Sequence, residues 1–170
     1  RGKDDTGKDL IIAREYITHG MRERAAQILA KSPDLVMAWL AGPEATQGVL
    51  YGAMQDSDFS SALLNAMARR RRIRGERGEL VGSHTRAFRK VWGANHPALD
   101  AFPVTGEHTN TTINFGDRFL LKVFRKVEPG LHPEREAGVF LTDKVPLPLV
   151  APFAGALEYR ADTGESGTLA

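Results

Sequence analysis

Residues 112–124, TINFGDRFLLKVF, admit few folds. Two apolar-rich runs flank Gly116-Asp117, and a glycine-containing two-residue loop suits the twist of a tight antiparallel hairpin. On the outgoing strand side chains alternate, with Phe119, Leu121 and Val123 on one face and Leu120, Lys122 and Phe124 on the other. Lys122 is thus a charge among apolar neighbours. Two readings stand: an ammonium reaching to water from a partly exposed face, or an amine held in a cleft to meet an anion.

The neighbours of the hairpin bear on that choice. Before it, TGEHTNTTINF sets Thr109, Asn110, Thr111 and Thr112 in a polar turn whose backbone N–H groups, hydroxyls and amide suit phosphate oxygens. An ordinary hydroxyl-rich turn has the same composition. After it, EPGLHPEREAGVFLTDK predicts a helix starting near Pro133, with Glu134 and Glu136 in the first turn and Ala137, Phe140 and Leu141 on its apolar side. Glutamates there also complement the helix dipole. Polar turn, hairpin, strand lysine and then a helix with an early glutamate is the order of a kinase small lobe, where the glutamate positions the lysine and the lysine grips nucleotide phosphates.

Upstream the pattern is different. MRERAAQILAKSPD carries Met21, Ala25, Ile28 and Leu29 at helical spacing, predicting a helix over 21–31 that ends before Pro33. LIIAREYI at 10–17 fits a strand or a helical turn equally. LVMAWLAG and GVLYGAM flank the turn-rich PEATQ and predict a hairpin. Asp56 or Ser57 caps a helix through Phe59, Leu63 and Met67 to Arg72, which puts Arg69 to Arg72 in its last turn. The basic segment at 68–79 and the following GSHTRAFRKVWGANHP are read as the connection between two parts, a helical first part over 1–90 and a strand-rich second part over 91–170.

Composition excludes several classes. With 170 residues, 42% hydrophobic and 26% charged, the chain is long enough for one domain or two small ones. It has no cysteine, hence no disulfide framework and no thiolate metal site, which suits a reducing cytoplasm. Its five histidines lack metal-ligand spacing. No apolar run reaches the roughly 20 residues of a membrane helix. The arginine cluster is soon broken by Gly75 and Gly78 and has no stacking aromatics, which argues against a nucleic-acid groove binder. The chain starts without Met and stops at ESGTLA, so both ends read as cut from a longer protein.

The stretch GEHTNTTINFGDRFLLKVFRKVEPGLHPEREAGVFLTD resembles bacterial maltokinases, particularly the kinase portion fused behind trehalose synthase. The resemblance continues through PFAGALEYR and back through GVLYGAMQDSDFSSALLNAMARRRRIRGERGELVG, covering most of residues 34–170. It implies an α+β fold: a helical/β cap subdomain, then the antiparallel-sheet small lobe of the protein-kinase-like fold shared with aminoglycoside phosphotransferases. It also implies transfer of the ATP γ-phosphoryl, with Mg2+, to maltose, giving maltose 1-phosphate. In that reading Lys122 contacts phosphate, Glu136 is its helix partner in preference to Glu134, and Thr109, Asn110 and Thr111 cover the triphosphate. Residues 107–109 are Glu-His-Thr where the family pattern has Glu-Gln-Ser. The catalytic aspartate, the metal ligands and the hinge are expected beyond Ala170, leaving this piece inactive alone. The alternative is a docking or regulatory module for a trehalose synthase domain or protein, with a homodimer as one arrangement.

Overall fold

A computed structural model describes residues 2–3, 9–10, 12–17, 22–31, 33–41, 47–93, 95–104, 110–124, 126–145 and 149–170. The chain divides into two compact units, Arg1–Phe59 and Ser60–Ala170. In the first, β1 (Gly2–Lys3) pairs with β2 (Asp9–Leu10), and a three-stranded antiparallel sheet has the order β3-β5-β4 from β3 (Ile12–Ile17), β4 (Val36–Ala41) and β5 (Gln47–Gly52). The ambiguous run at 10–17 is therefore strand over 12–17, and the predicted second hairpin is the β4–β5 pair. α1 (Arg22–Lys31) places Ile28 in a small core with Val49 and Tyr51. Met21 lies outside the described residues. β4 alternates, with Val36, Ala38 and Leu40 half-buried and Met37, Trp39 and Ala41 exposed. Asp56 accepts the Tyr51 hydroxyl at 2.7 Å and the Asp58 N–H at 2.9 Å, which caps the next helix.

α2 (Ser57–Ala68) leads into the second unit, an α+β arrangement built on two antiparallel sheets. One has the order β12-β11-β7-β6, from β6 (Arg72–Arg74), β7 (Gly78–His84), β11 (Gly155–Ala161) and β12 (Ser166–Thr168). The other has the order β10-β9-β8, from β8 (Ala101–Val104), β9 (Asn110–Phe115) and β10 (Phe119–Phe124). A hydrogen bond from Phe124 N to Leu169 O, 2.8 Å, joins the end of β10 to the residue just past β12. α3 (Arg86–Trp92) and α4 (Pro133–Asp143) lie between these strands in the chain. In the three-stranded sheet Ile113, Phe115, Leu121 and Val123 are buried, while Phe102, Val104 and Leu120 are exposed on the opposite face. Phe88 and Trp92 of α3 meet Phe119 at ring distances of 4.9 and 6.0 Å.

The structure moves three sequence boundaries. First, the division falls at 59/60 and not at 90, because all seven residues of β7 pair with β11, more than seventy positions later. Within the supposed connection, 68–79 and 82–97, the structure instead places a four-stranded sheet's inner strand, β7, and α3, which starts on the Thr85 cap. Second, α2 ends at Ala68 and not at Arg72: Arg70 turns the chain at φ +49°, and Arg72 enters β6. On that strand Arg72 donates to both Glu79 carboxylate oxygens, at 3.0 and 2.5 Å. Cross-strand charge pairing thus uses the arginine that helix-end electrostatics was expected to use. Third, the β9–β10 loop has three residues, 116–118, because Phe115 pairs with Phe119. Gly116, at φ +55°, supplies the left-handed residue.

At Gly82, α2 and β7 approach closely. A Cβ there would lie 2.2 Å from Ala66 O, and the Gly82 N–H donates to Arg71 O at 2.8 Å. Gly82→Ala is expected to lower stability by about 1–3 kcal/mol through overpacking. Gly52→Ala, with nothing within 4 Å of its Cβ, should stay within roughly 0.5 kcal/mol in the same denaturant titration. The Arg72 guanidinium also holds the Glu79 carboxyl below its ordinary value, chiefly by hydrogen bonding. A depressed carboxylate stabilises the fold above the unfolded carboxylate range, and that contribution disappears as pH falls through the folded value. Arg72→Gln should therefore flatten the acid limb of the stability–pH curve and leave its slope near neutrality unchanged.

Candidate functional site

The candidate site is where β10 meets the first turn of α4. His132 caps that helix: its Nδ1 accepts the Glu134 N–H at 3.3 Å, and Pro133 occupies the first turn, where its missing N–H costs nothing. The imidazole also stacks on Phe124, with 3.9 Å between ring centroids. Two residues back along the strand, on the same face, Lys122 Nζ donates to Glu134 Oε2 at 2.7 Å. Strand positions 122 and 124 therefore clasp helix positions 134 and 132. The ion pair is half exposed, 41% for the lysine side chain and 52% for the glutamate, so a small anion has access to the ammonium.

The preference for Glu136 as lysine partner is overturned. Glu136 is exposed, and so is Phe140, the residue expected to face the sheet with it. Instead Glu134, Gly138 and Thr142 form the inward row at i, i+4, i+8. A Cβ on Gly138 would lie 2.9 Å from the Phe153 ring, so the absent side chain is what admits Phe153, whose N–H donates to Thr142 Oγ1 at 2.7 Å. Arg135 completes the fixation by pairing with Glu158 of β11 at 3.0 Å. Residues two apart on a helix are about 200° apart, so turning the 134–138–142 row inward turns Glu136 out.

The polar turn separates likewise. Thr109 lies outside the described residues. Asn110 pairs in register with Phe124 and Thr112 with Lys122, which puts both on the lysine face. Thr111 is opposite Val123, on the other face. Thr112, whose hydroxyl is 3.4 Å from Asn110 Oδ1, is thus the hydroxyl nearest in register to the ammonium. The exposed Phe102, Val104 and Leu120 share that face and give it an apolar floor.

Beside the ion pair is a cleft of about 490 Å³, lined by residues of α2, α3, β10, α4 and the segment 150–155. Its walls are mostly apolar, and its charged groups are already engaged: Lys122 with Glu134, Arg135 with Glu158 of β11, and Arg118 with the main-chain carbonyls of Val91 and Trp92. Sequence reasoning missed Arg135 and His132; the signal available for the latter was a histidine directly before a helix-starting proline. Among the described residues no group of three or more His, Asp or Glu side chains is arranged to hold a metal ion, and no helix is long and apolar enough to cross a membrane. No known protein-family model matches the chain.

The pairing is measurable without a ligand. A double-mutant cycle of Lys122→Met with Glu134→Gln should return a coupling of about 0.5 kcal/mol, the size of a half-exposed ion pair. The same cycle with Glu136→Gln should return a coupling near zero. Reversal of the two values would restore Glu136 as the partner.

Proposed function

We propose that the Ser60–Ala170 unit is the phosphate-gripping small lobe of an ATP-dependent sugar kinase, of the protein-kinase-like fold and similar to the maltokinases. The observation that carries this reading is the Lys122–Glu134 pair: a strand ammonium held by a helix carboxylate at 2.7 Å on the lip of a cleft. Strand order supports it. With the Phe124–Leu169 bond the strands run β8-β9-β10-β12-β11, and α4 is inserted between β10 and β11. A lysine on the third strand paired to a glutamate on the following helix is the kinase arrangement. By resemblance the acceptor is maltose and the product maltose 1-phosphate.

In this reading ATP supplies the transferable γ-phosphoryl group. Glu134 orients the amine, and Lys122 donates to phosphate oxygens where negative charge gathers. Asn110 and Thr112 add an amide and a hydroxyl on the same face, and Leu120 with Phe102 offers an apolar surface for the base. The described residues fit the phosphates but provide no magnesium ligand set, so no step is assigned to that ion. A second reading, a docking module for a trehalose synthase, draws on one observation: Met37 and Trp39 stand exposed at 48% and 63% on one face of β4.

Titration of the chain with a fluorescent ATP analogue separates the two. Lys122→Ala should weaken binding roughly 10–100-fold, the value of a hydrogen bond to a charged group. Glu134→Gln should weaken it several-fold, and Glu136→Gln should leave it unchanged. Equal affinity for wild type and Lys122→Ala sinks the kinase reading and leaves the docking module.

A further inference from the structure

The basic segment at 68–79 plays no part in the phosphate contact. It carries six arginines and two glutamates, so a chain with a formal net charge of +2 concentrates more than its whole excess there. The structure places it at a sheet edge, because β6 is the end strand of the order β12-β11-β7-β6. The Gly82 N–H donates to Arg71 O and the Gly75 N–H to Gly78 O, both at 2.8 Å, and Ile73 pairs with Leu80 between them. Hydrogen-bonded pairs alternate along an antiparallel ladder, so the main-chain groups of residues 71, 73 and 75 face β7 and those of Arg72 and Arg74 face outward.

Sheet edges are normally guarded against added strands. β8, the end strand of the three-stranded sheet, is guarded by Pro103. There the Gly116 N–H donates to Asp100 O at 3.0 Å, which by the same alternation turns residue 103 outward, and proline has no N–H to offer. Arginines guard an edge when they spread past it, but Arg72 and Arg74 are drawn back toward β7 and β11, to Glu79 and, at 2.9 Å, to Asp162. Their main-chain groups are left uncovered. Arg69, Arg71 and Arg77 are exposed and have no ion-pair partner among the described residues, and Ile73 is 50% exposed. An open strand edge, an apolar side chain and unpaired cations at both ends of the strand therefore stand together.

We infer that the β6 edge is an interaction surface whose partner is an extended acidic segment of another protein, added to the sheet as a further strand. The partner's main chain pairs with Arg72 and Arg74, an apolar side chain lies against Ile73, and flanking carboxylates meet Arg71 and its neighbours. A second copy of β6 does not fit, because it sets arginines against arginines. A polyanion without a peptide main chain supplies the charge but neither the ladder hydrogen bonds nor the apolar contact. The inference is independent of the kinase reading, since it uses no residue of the Lys122 clasp.

The test uses the whole chain and the peptide acetyl-Asp-Glu-Thr-Val-Thr-Glu-Asp-amide, whose valine falls opposite Ile73 and whose threonines fall opposite Arg72 and Arg74. The control peptide has both threonine amides N-methylated, which keeps the charge and removes those hydrogen bonds. The expected result is saturable one-to-one binding that slows hydrogen exchange at the Arg72 and Arg74 amides and not at Ala101 on the β8 edge. The methylated peptide should bind at least tenfold more weakly. Ile73→Thr should weaken the parent peptide three- to tenfold, Arg71→Gln together with Arg77→Gln should do the same, and Lys122→Ala should leave it unchanged. Raising the ionic strength from about 0.05 to 0.2 M should weaken it several-fold. Four results overturn the inference: no binding, equal affinity for the two peptides, unslowed Arg72 and Arg74 amides, or a thymidine heptanucleotide that binds as tightly as the peptide, which marks a site for polyanions at large. None of these needs a variant, so a substitution that unfolds the chain does not protect the idea. The nucleotide titration reads Lys122 and this one reads β6, so either fails without the other.

Discussion

The clasp between β10 and the first turn of α4 is the contact on which the arrangement of the candidate site depends. α4 has no fully buried residue, and its apolar Val139 and Leu141 are only half-buried, so its apolar seat on the sheet is shallow. What seats it is a set of directional contacts: His132 on Phe124, Glu134 on Lys122, Arg135 on Glu158 and Thr142 on the Phe153 backbone. Directional contacts specify one rotation of a helix more sharply than a greasy stripe does, because a hydrogen bond weakens steeply with angle. The same residues that fix the helix also present the ammonium. Holding and function are therefore one set of groups.

Long-range pairing sets the frame around that clasp. β7 and β11 are matched residue for residue, from Gly78 with Ala161 to His84 with Gly155. Closing so long a loop costs chain entropy, which the pairing must repay together with buried Ala156, Leu157 and Val81. Two glycines let the strands and helices approach. Gly82 admits the Ala66 carbonyl, and Gly155 lies where a Cβ would sit 2.6 Å from Ser83 O.

Local signals were legible, and three-dimensional ones were not. The alternation of β10, the β4–β5 hairpin, the start of α4 at Pro133 and the core positions Ile28, Leu63 and Met67 follow from periodicity and turn chemistry within windows of about ten residues. The face that α4 turns inward does not. An apolar-stripe reading favours Phe140 and Leu141, whereas Gly138 and Thr142 decide the outcome, one by having no side chain and the other by accepting a remote N–H. The end of α2 was misplaced for a related reason. Arginines suit a helix C-terminus in isolation, but Glu79 lies across the β6–β7 hairpin from Arg72, a partner that helical geometry does not bring near. In both cases a tertiary partner outweighed a sound local preference. The lysine itself was conspicuous because a charge interrupts an apolar run; its partner was ambiguous because both glutamates satisfy the helix dipole equally.

Arg118 sits in the turn of the lysine hairpin, yet its guanidinium donates to Trp92 O at 2.8 Å and Val91 O at 3.2 Å, the open carbonyls where α3 ends. The hairpin's alignment is thereby policed from outside the sheet. Sliding one strand past the other by a single residue would exchange the faces of Lys122 and Val123, and would also drag the arginine off its carbonyl seat. A misaligned chain would forfeit two unrelated things at once, which makes the placement of the ammonium robust against the commonest error a short ribbon can make.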